Sequence, residues 1–184
     1  GSLQKLCERR LDELGRLAVL LIDGTYLYGE CVVVAMGVDF QGEKHILGLV
    51  QGATENSTVV QRLLDDLIER GLNTTQRMLI VLDGGKALRS AIDEMFGERA
   101  KVQRCRTHKL RNVLERLPKT EAAQTKAVMM AAYKLDPKQG IAKMKKQAEW
   151  LDREHPDAAA SMREGLQETY TVNALGLPPS LTRC

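Results

Sequence analysis

The chain has 184 residues, 43% of them hydrophobic and only 4% aromatic, so it can bury one substantial aliphatic core and does not have the composition of a disordered protein. Its formal charge of +3 suits a polyanionic partner without requiring one. No apolar run approaches the roughly 20 residues needed to span a bilayer, which excludes a helical membrane protein.

Cys7, Cys31, Cys105 and Cys184 are scattered without paired spacing, and no signal-peptide pattern precedes them. Reduced thiols in a cytoplasmic protein are therefore expected. The opening Gly1-Ser2 reads as a protease scar from recombinant expression, so the chain is expected to be an excised piece, with residues 1–16 a helical lead-in.

Residues 17–23, Leu-Ala-Val-Leu-Leu-Ile-Asp, form an unbroken apolar run that predicts a buried strand ending in an acid. The Val-rich segment Glu30 to Asp39 and the apolar segment Lys44 to Val50 predict a hairpin, with turn chemistry in Asp39-Phe40-Gln41-Gly42. From Ser57, Val59, Val60, Leu63, Leu64, Leu67 and Ile68 recur at helical spacing, with Asn56 or Ser57 as cap and Gly71 as terminator. Met78 to Leu82 predicts a second buried strand ending in Asp83. A helix bearing Ala87, Leu88, Ala91, Ile92 and Met95 on one face and a short strand at Ala100 to Arg104 follow.

Thr107 is expected to cap the next helix, whose stripe is Leu110, Val113, Leu114 and Leu117, with Pro118 at its end. From Glu121 onward only helical patterns occur, separated near Pro137, near Pro156 and by Leu175 to Pro179. Three antiparallel strands, a helix and then alternating strands and helices predict an α/β fold with a ribonuclease H-like mixed sheet flanked by helices over residues 17–118. An all-helical region over 119–184 completes the expected organisation.

Asp23 and Asp83 each close an apolar strand and each precede a glycine, Gly24 and Gly84, so both are expected where the backbone turns. In a ribonuclease H-like sheet the first and fourth strands are parallel neighbours, which would set the two carboxylates side by side. Two adjacent carboxylates repel and favour a hard cation: Mg²⁺ or Mn²⁺, as a pair of ions, suits phosphodiester chemistry. Either Asp-Gly alone is equally well explained as a turn. Asp39, Asp65, Asp66, Glu55, Glu164 and Glu168 have adequate structural explanations and are assigned no catalysis.

These residues resemble the Mutator-type insertion-sequence transposases. The resemblance rests on Leu21-Ile22-Asp23-Gly24-Thr25-Tyr26, Gly52-Ala53-Thr54-Glu55, Val81-Leu82-Asp83-Gly84-Gly85 and the segment Cys105 to Val113. It implies an Asp-Asp-Glu active site in which Asp23 and Asp83 are the metal-binding aspartates. It also aligns Cys105 and His108 with a Cys-x-x-His element, Cys105 being supporting and His108 contributing to catalysis. The family's glutamate follows a helical insertion and a Leu-Gly-Leu-Pro stretch similar to Leu175 to Pro178, so it is expected beyond Cys184, and the isolated piece is expected to be weakly active or inactive.

His108 could contact a scissile phosphate or orient a ligand, or it could be a cap-region histidine with a satisfied hydrogen bond. Zinc at Cys105 and His108 lacks a second ligand pair of suitable spacing. Between Lys101 and Lys119, seven basic residues face the single acid Glu115. Arg104, Arg106, Lys109 and Arg111 are expected to contact DNA phosphates, against the alternative of a solvated helix face. Lys143, Lys145 and Lys146 form a second cluster.

The resemblance implies a metal-dependent polynucleotidyl transferase that cleaves element ends and joins the freed 3′-hydroxyl to target DNA. Its partners would be terminal-repeat and target DNA and further copies of itself, in association with the bacterial nucleoid. A ribonuclease H-like nuclease or resolvase, and a non-catalytic DNA-binding or oligomerisation module, are the competing readings.

Overall fold

A computed structural model of the chain describes residues 2–52 and 57–183, apart from the side chains of Ser2, Leu3, Leu27 and Ser57. The expected cap at Asn56 or Ser57 and most of the Gly52 to Glu55 motif lie outside the described residues. The chain divides into two compact units, the first ending at Val102 and the second running from Gln103 to Arg183.

In the first unit a short helix, α1 (Ser2–Glu8), precedes an antiparallel meander of β1 (Leu17–Leu27), β2 (Glu30–Asp39) and β3 (Lys44–Gly52). Helix α2 (Ser57–Glu69) leads to β4 (Met78–Leu82), and α3 (Lys86–Phe96) leads to β5 (Ala100–Arg104). The sheet order is β3-β2-β1-β4-β5, with β1 antiparallel to β2 and parallel to β4. The ribonuclease H-like mixed sheet expected from the element order is present.

All five residues of β4 are buried, which explains why this strand is apolar without alternation: both of its faces are covered. Leu20 and Ile22 of β1 and Ile80 and Leu82 of β4 join one core with Val60, Leu63, Leu64 and Leu67 of α2 and Leu88, Ile92 and Phe96 of α3. Burying each such side chain is worth about 1.5–3 kcal/mol, so the stripe spacing of α2 and α3 is what docks them on this face. Asp39 closes the hairpin as expected: its Oδ1 accepts from the backbone N–H groups of Gln41 and Glu43, both at 2.9 Å.

The second unit contains α4 (Arg106–Leu114), α5 (Lys119–Ala132), α6 (Pro137–Leu151), α7 (Pro156–Arg163) and the single turn α8 (Thr171–Ala174). Thr107 does not cap α4. The cap position is Cys105, without a side-chain cap bond, and Thr107 lies exposed inside the first turn. The chain turns into helix two residues earlier than the preference for a hydroxyl at the cap predicts. By contrast, α6 starts where sequence chemistry places it, with Pro137 in the first turn and the Asp136 carboxylate accepting from Gln139 N–H at 3.1 Å.

Val113, Met129, Met144, Leu151, Met162 and Tyr170 form the core of this unit. Polar groups are buried with it. Lys109 is fully buried and its Nζ donates to the main-chain carbonyls of Ser161 and Glu164, at the C-terminal end of α7, where a cation complements the helix dipole. Arg106 lies over the rings of Tyr133 and Tyr170, at 4.3 and 4.8 Å from their centroids. It donates to Thr169 O, Tyr133 O and the Asn173 amide oxygen.

Gly140 marks a close approach, because a Cβ there would stand 2.1 Å from Tyr170 Oη and 2.6 Å from Ala132 O. Alanine would gain up to about 1 kcal/mol of helix propensity, but the overlap costs about 1–3 kcal/mol and also disturbs the hydrogen bond from Tyr170 Oη to Ala132 O. Gly140→Ala is therefore expected to lower the melting temperature by several degrees in a calorimetric scan; an unchanged or higher value would show that the helices separate freely.

Burial, reinforced by the nearby Arg104 charge, depresses the Lys109 ammonium to about 8 from its ordinary 10.5. The unfolded chain therefore holds this proton more tightly than the folded one between those two values, and stability gained from Lys109 increases as pH rises through that window. Urea unfolding of the wild type should show this component between about pH 8 and pH 10, and Lys109→Met should lack it. Parallel pH profiles for the two proteins would contradict the assignment.

Candidate active site

The parallel register of β1 and β4 pairs Leu21 with Val81 and Ile22 with Leu82, so Asp23 and Asp83 are the next residues along two adjacent strands. Neighbouring strands lie about 4.8 Å apart, which brings the two backbones together at one end of the sheet. Alternation along β1 turns Asp23 away from the core that holds Leu20 and Ile22. Both aspartates are half-buried.

The two positions reach this edge differently. Asp83 follows β4 as expected: Gly84 takes φ +108°, Asp83 Oδ1 accepts from Gly85 N–H at 2.8 Å, and α3 begins at Lys86. This is a tight strand-to-helix turn in which the left-handed backbone favours glycine. Asp23 does not end its strand. β1 continues to Leu27, Gly24 pairs with Val33 and Thr25 with Val32, and Gly24 is not among the glycines of positive φ. Pairing with the Val-rich β2 outweighs the turn preference of Asp-Gly, so Asp23 presents its carboxylate from within a strand.

Apart from Lys101 the basic segment is in the second unit, and Arg104, Arg106 and Lys109 face inward whereas Lys101, Arg111, Arg116 and Lys119 are exposed. Arg104 is 7% exposed, 3.5 Å from the Glu164 carboxylate, and Lys109 is buried on carbonyls. Arg106 is held by the tyrosines and carbonyls, and burial lowers its pKa. The expected phosphate contact by Arg104 and Lys109 is thus replaced by a role in packing. Of the four named cations, Arg111 is the one that faces solvent, 3.8 Å from Glu115. Cys105 is buried at the start of α4, and His108, half-buried, lies on its first turn.

Among the described residues, no group of three or more His, Cys, Asp or Glu is placed to hold a metal ion. Asp23 and Asp83 offer two hard oxygen donors, the chemistry that Mg²⁺ or Mn²⁺ favours. Cys7, Cys31 and Cys105 are not in disulfides, and no helix among the described residues is long and apolar enough to cross a membrane.

The curated relatives that align with the chain are transposases of insertion sequences, three of which illustrate the match. The chain is 34% identical over 122 residues to the transposase for insertion sequence element IST2 of Acidithiobacillus ferrooxidans, covering 62% of this chain and 40% of that protein. It is 34% identical over 123 residues to the transposase for IS905 of Lactococcus lactis, covering 63% and 30%. It is 25% identical over 146 residues to the IS256 transposase of Tn4001 in Staphylococcus aureus, covering 78% and 37%. The chain therefore spans well under half the length of these relatives. The family profile described as "Transposase, Mutator family" matches residues 2–176, nearly the whole chain. The chain belongs to the Mutator family of transposases.

Proposed function

We propose that this chain supplies the catalytic core of a DNA transposase that cleaves the ends of its element and joins the freed 3′-hydroxyl to target DNA. One observation carries the reading: two half-buried aspartates stand together on adjacent parallel strands in a chain of this family. In this proposal Asp23 and Asp83 hold Mg²⁺ or Mn²⁺, two ions in the complete site. Bound there, the cations would supply charge stabilisation and an activated oxygen for phosphodiester cleavage.

The chain's own residues have narrower tasks. Asp83, fixed by the Gly85 N–H, keeps one carboxylate oxygen oriented. His108 supports the scissile phosphate, Cys105 packs beneath that first turn of α4, and Arg111 contacts the DNA backbone. The terminal repeats, the target and further copies of the protein are the proposed partners.

Titration of the chain with Mg²⁺ and Mn²⁺ by calorimetry tests the carboxylate pair. Asp23→Asn and Asp83→Asn should each weaken binding about tenfold or more, because one hard anionic donor is lost. Identical isotherms for wild type and Asp23→Asn would remove Asp23 from the site. In the full-length parent, each substitution should abolish both end cleavage and strand transfer; cleavage products without joined products in the wild type would point to a nuclease instead.

A further inference from the structure

The pole of the sheet opposite the carboxylates is also charged. Because β1 and β4 are parallel, Arg16 before β1 and Arg77 before β4 stand at the same end, and the Gln76 side chain donates to Leu17 O at 3.2 Å, tying the two strand starts together. Arg77 also lines an open cleft of about 740 Å³ with Glu98, Arg99, Ala100 and Lys101, so the start of β5 joins this pole. Arg16, Arg77, Arg99 and Lys101 are all exposed.

The cleft is built from positions far apart in sequence. Arg99 is held in place by donating from Nε to Thr74 O at 3.0 Å, and the lining carries three cations against the single acid Glu98. Its one apolar lining residue is Ala100, which gives a protein partner no core to bury but suits a hydrated polyanion. Across three strand starts the cations extend over about 10 Å, comparable to the rise of three phosphates along one DNA strand at about 3.4 Å each.

We propose that this cleft binds the phosphate backbone of duplex DNA, as a second contact remote from the aspartate pair. The inference rests on the reading of the chain as a DNA-processing core. The five residues of β4 separate the two ends by about 17 Å. The cleft therefore grips DNA about five base-pair steps from the point of chemistry, or a separate duplex. It offers cations and no pocket for base edges, so the contact is independent of sequence.

The test is fluorescence anisotropy of the whole chain with a labelled duplex of arbitrary sequence, over about 50 to 200 mM salt, for the wild type, the double variant Arg77→Ala/Lys101→Ala and the charge-retaining Arg77→Lys/Lys101→Arg. Both positions are exposed, and circular dichroism would check that each variant folds. The alanine pair should weaken binding about tenfold and make the slope of log affinity against log salt shallower by about two, whereas the charge-retaining pair should keep both. Wild-type binding with an unchanged slope in the folded alanine pair overturns the second contact and leaves the transposase reading intact. A wild type that binds no duplex overturns both.

Discussion

The parallel pairing of β1 with β4 is the constraint on which the rest depends. Their registered residues are buried on both sides, and the pairing joins segments separated by two further strands and a helix. Apolar burial supplies the driving force, since Leu20, Ile22, Ile80 and Leu82 share one core with α2 and α3. The same register that buries these side chains places two aspartates side by side at one end of the sheet. The proposed site uses this adjacency, because two hard oxygen donors on neighbouring strands suit a divalent cation.

The second unit handles charge differently. Lys109 and Arg106 are drawn inward and satisfied by carbonyls and aromatic rings rather than by carboxylates alone. Lys109 at the end of α7 and Arg106 between two tyrosines act as rivets among helices whose apolar stripes are narrow. That arrangement rigidifies the unit at the cost of desolvating charge, so both groups must keep all their partners to remain favourable.

Much of this was legible in the sequence. The apolar runs at 17–23 and 78–82, the hairpin turn at Asp39 and the helical spacing of α2 and α3 report local periodicity, and the structure follows them closely. The adjacency of Asp23 and Asp83 required only strand order in addition. What was not legible depends on partners distant in the chain. Gly24 reads as a turn until Val33 is placed opposite it. Lys109 reads as a surface cation until carbonyls 52 and 55 residues away close over it. The cleft at Arg77, Arg99 and Lys101 has no sequence signature, because its cations come from separate strand starts.

That β1 runs on through Asp23 has an evolutionary consequence. Side chains of a strand alternate faces, so inserting or deleting one residue between Leu20 and Asp23 would turn the carboxylate toward the helices and an aliphatic side chain outward, even if the strand re-paired perfectly. A site on a loop can absorb such length changes, whereas a site inside a strand needs a bulge to do so, like the register shift between Leu17 and Val19. Relatives that keep this architecture can vary the identity of residues between Leu20 and Asp23 but not their number.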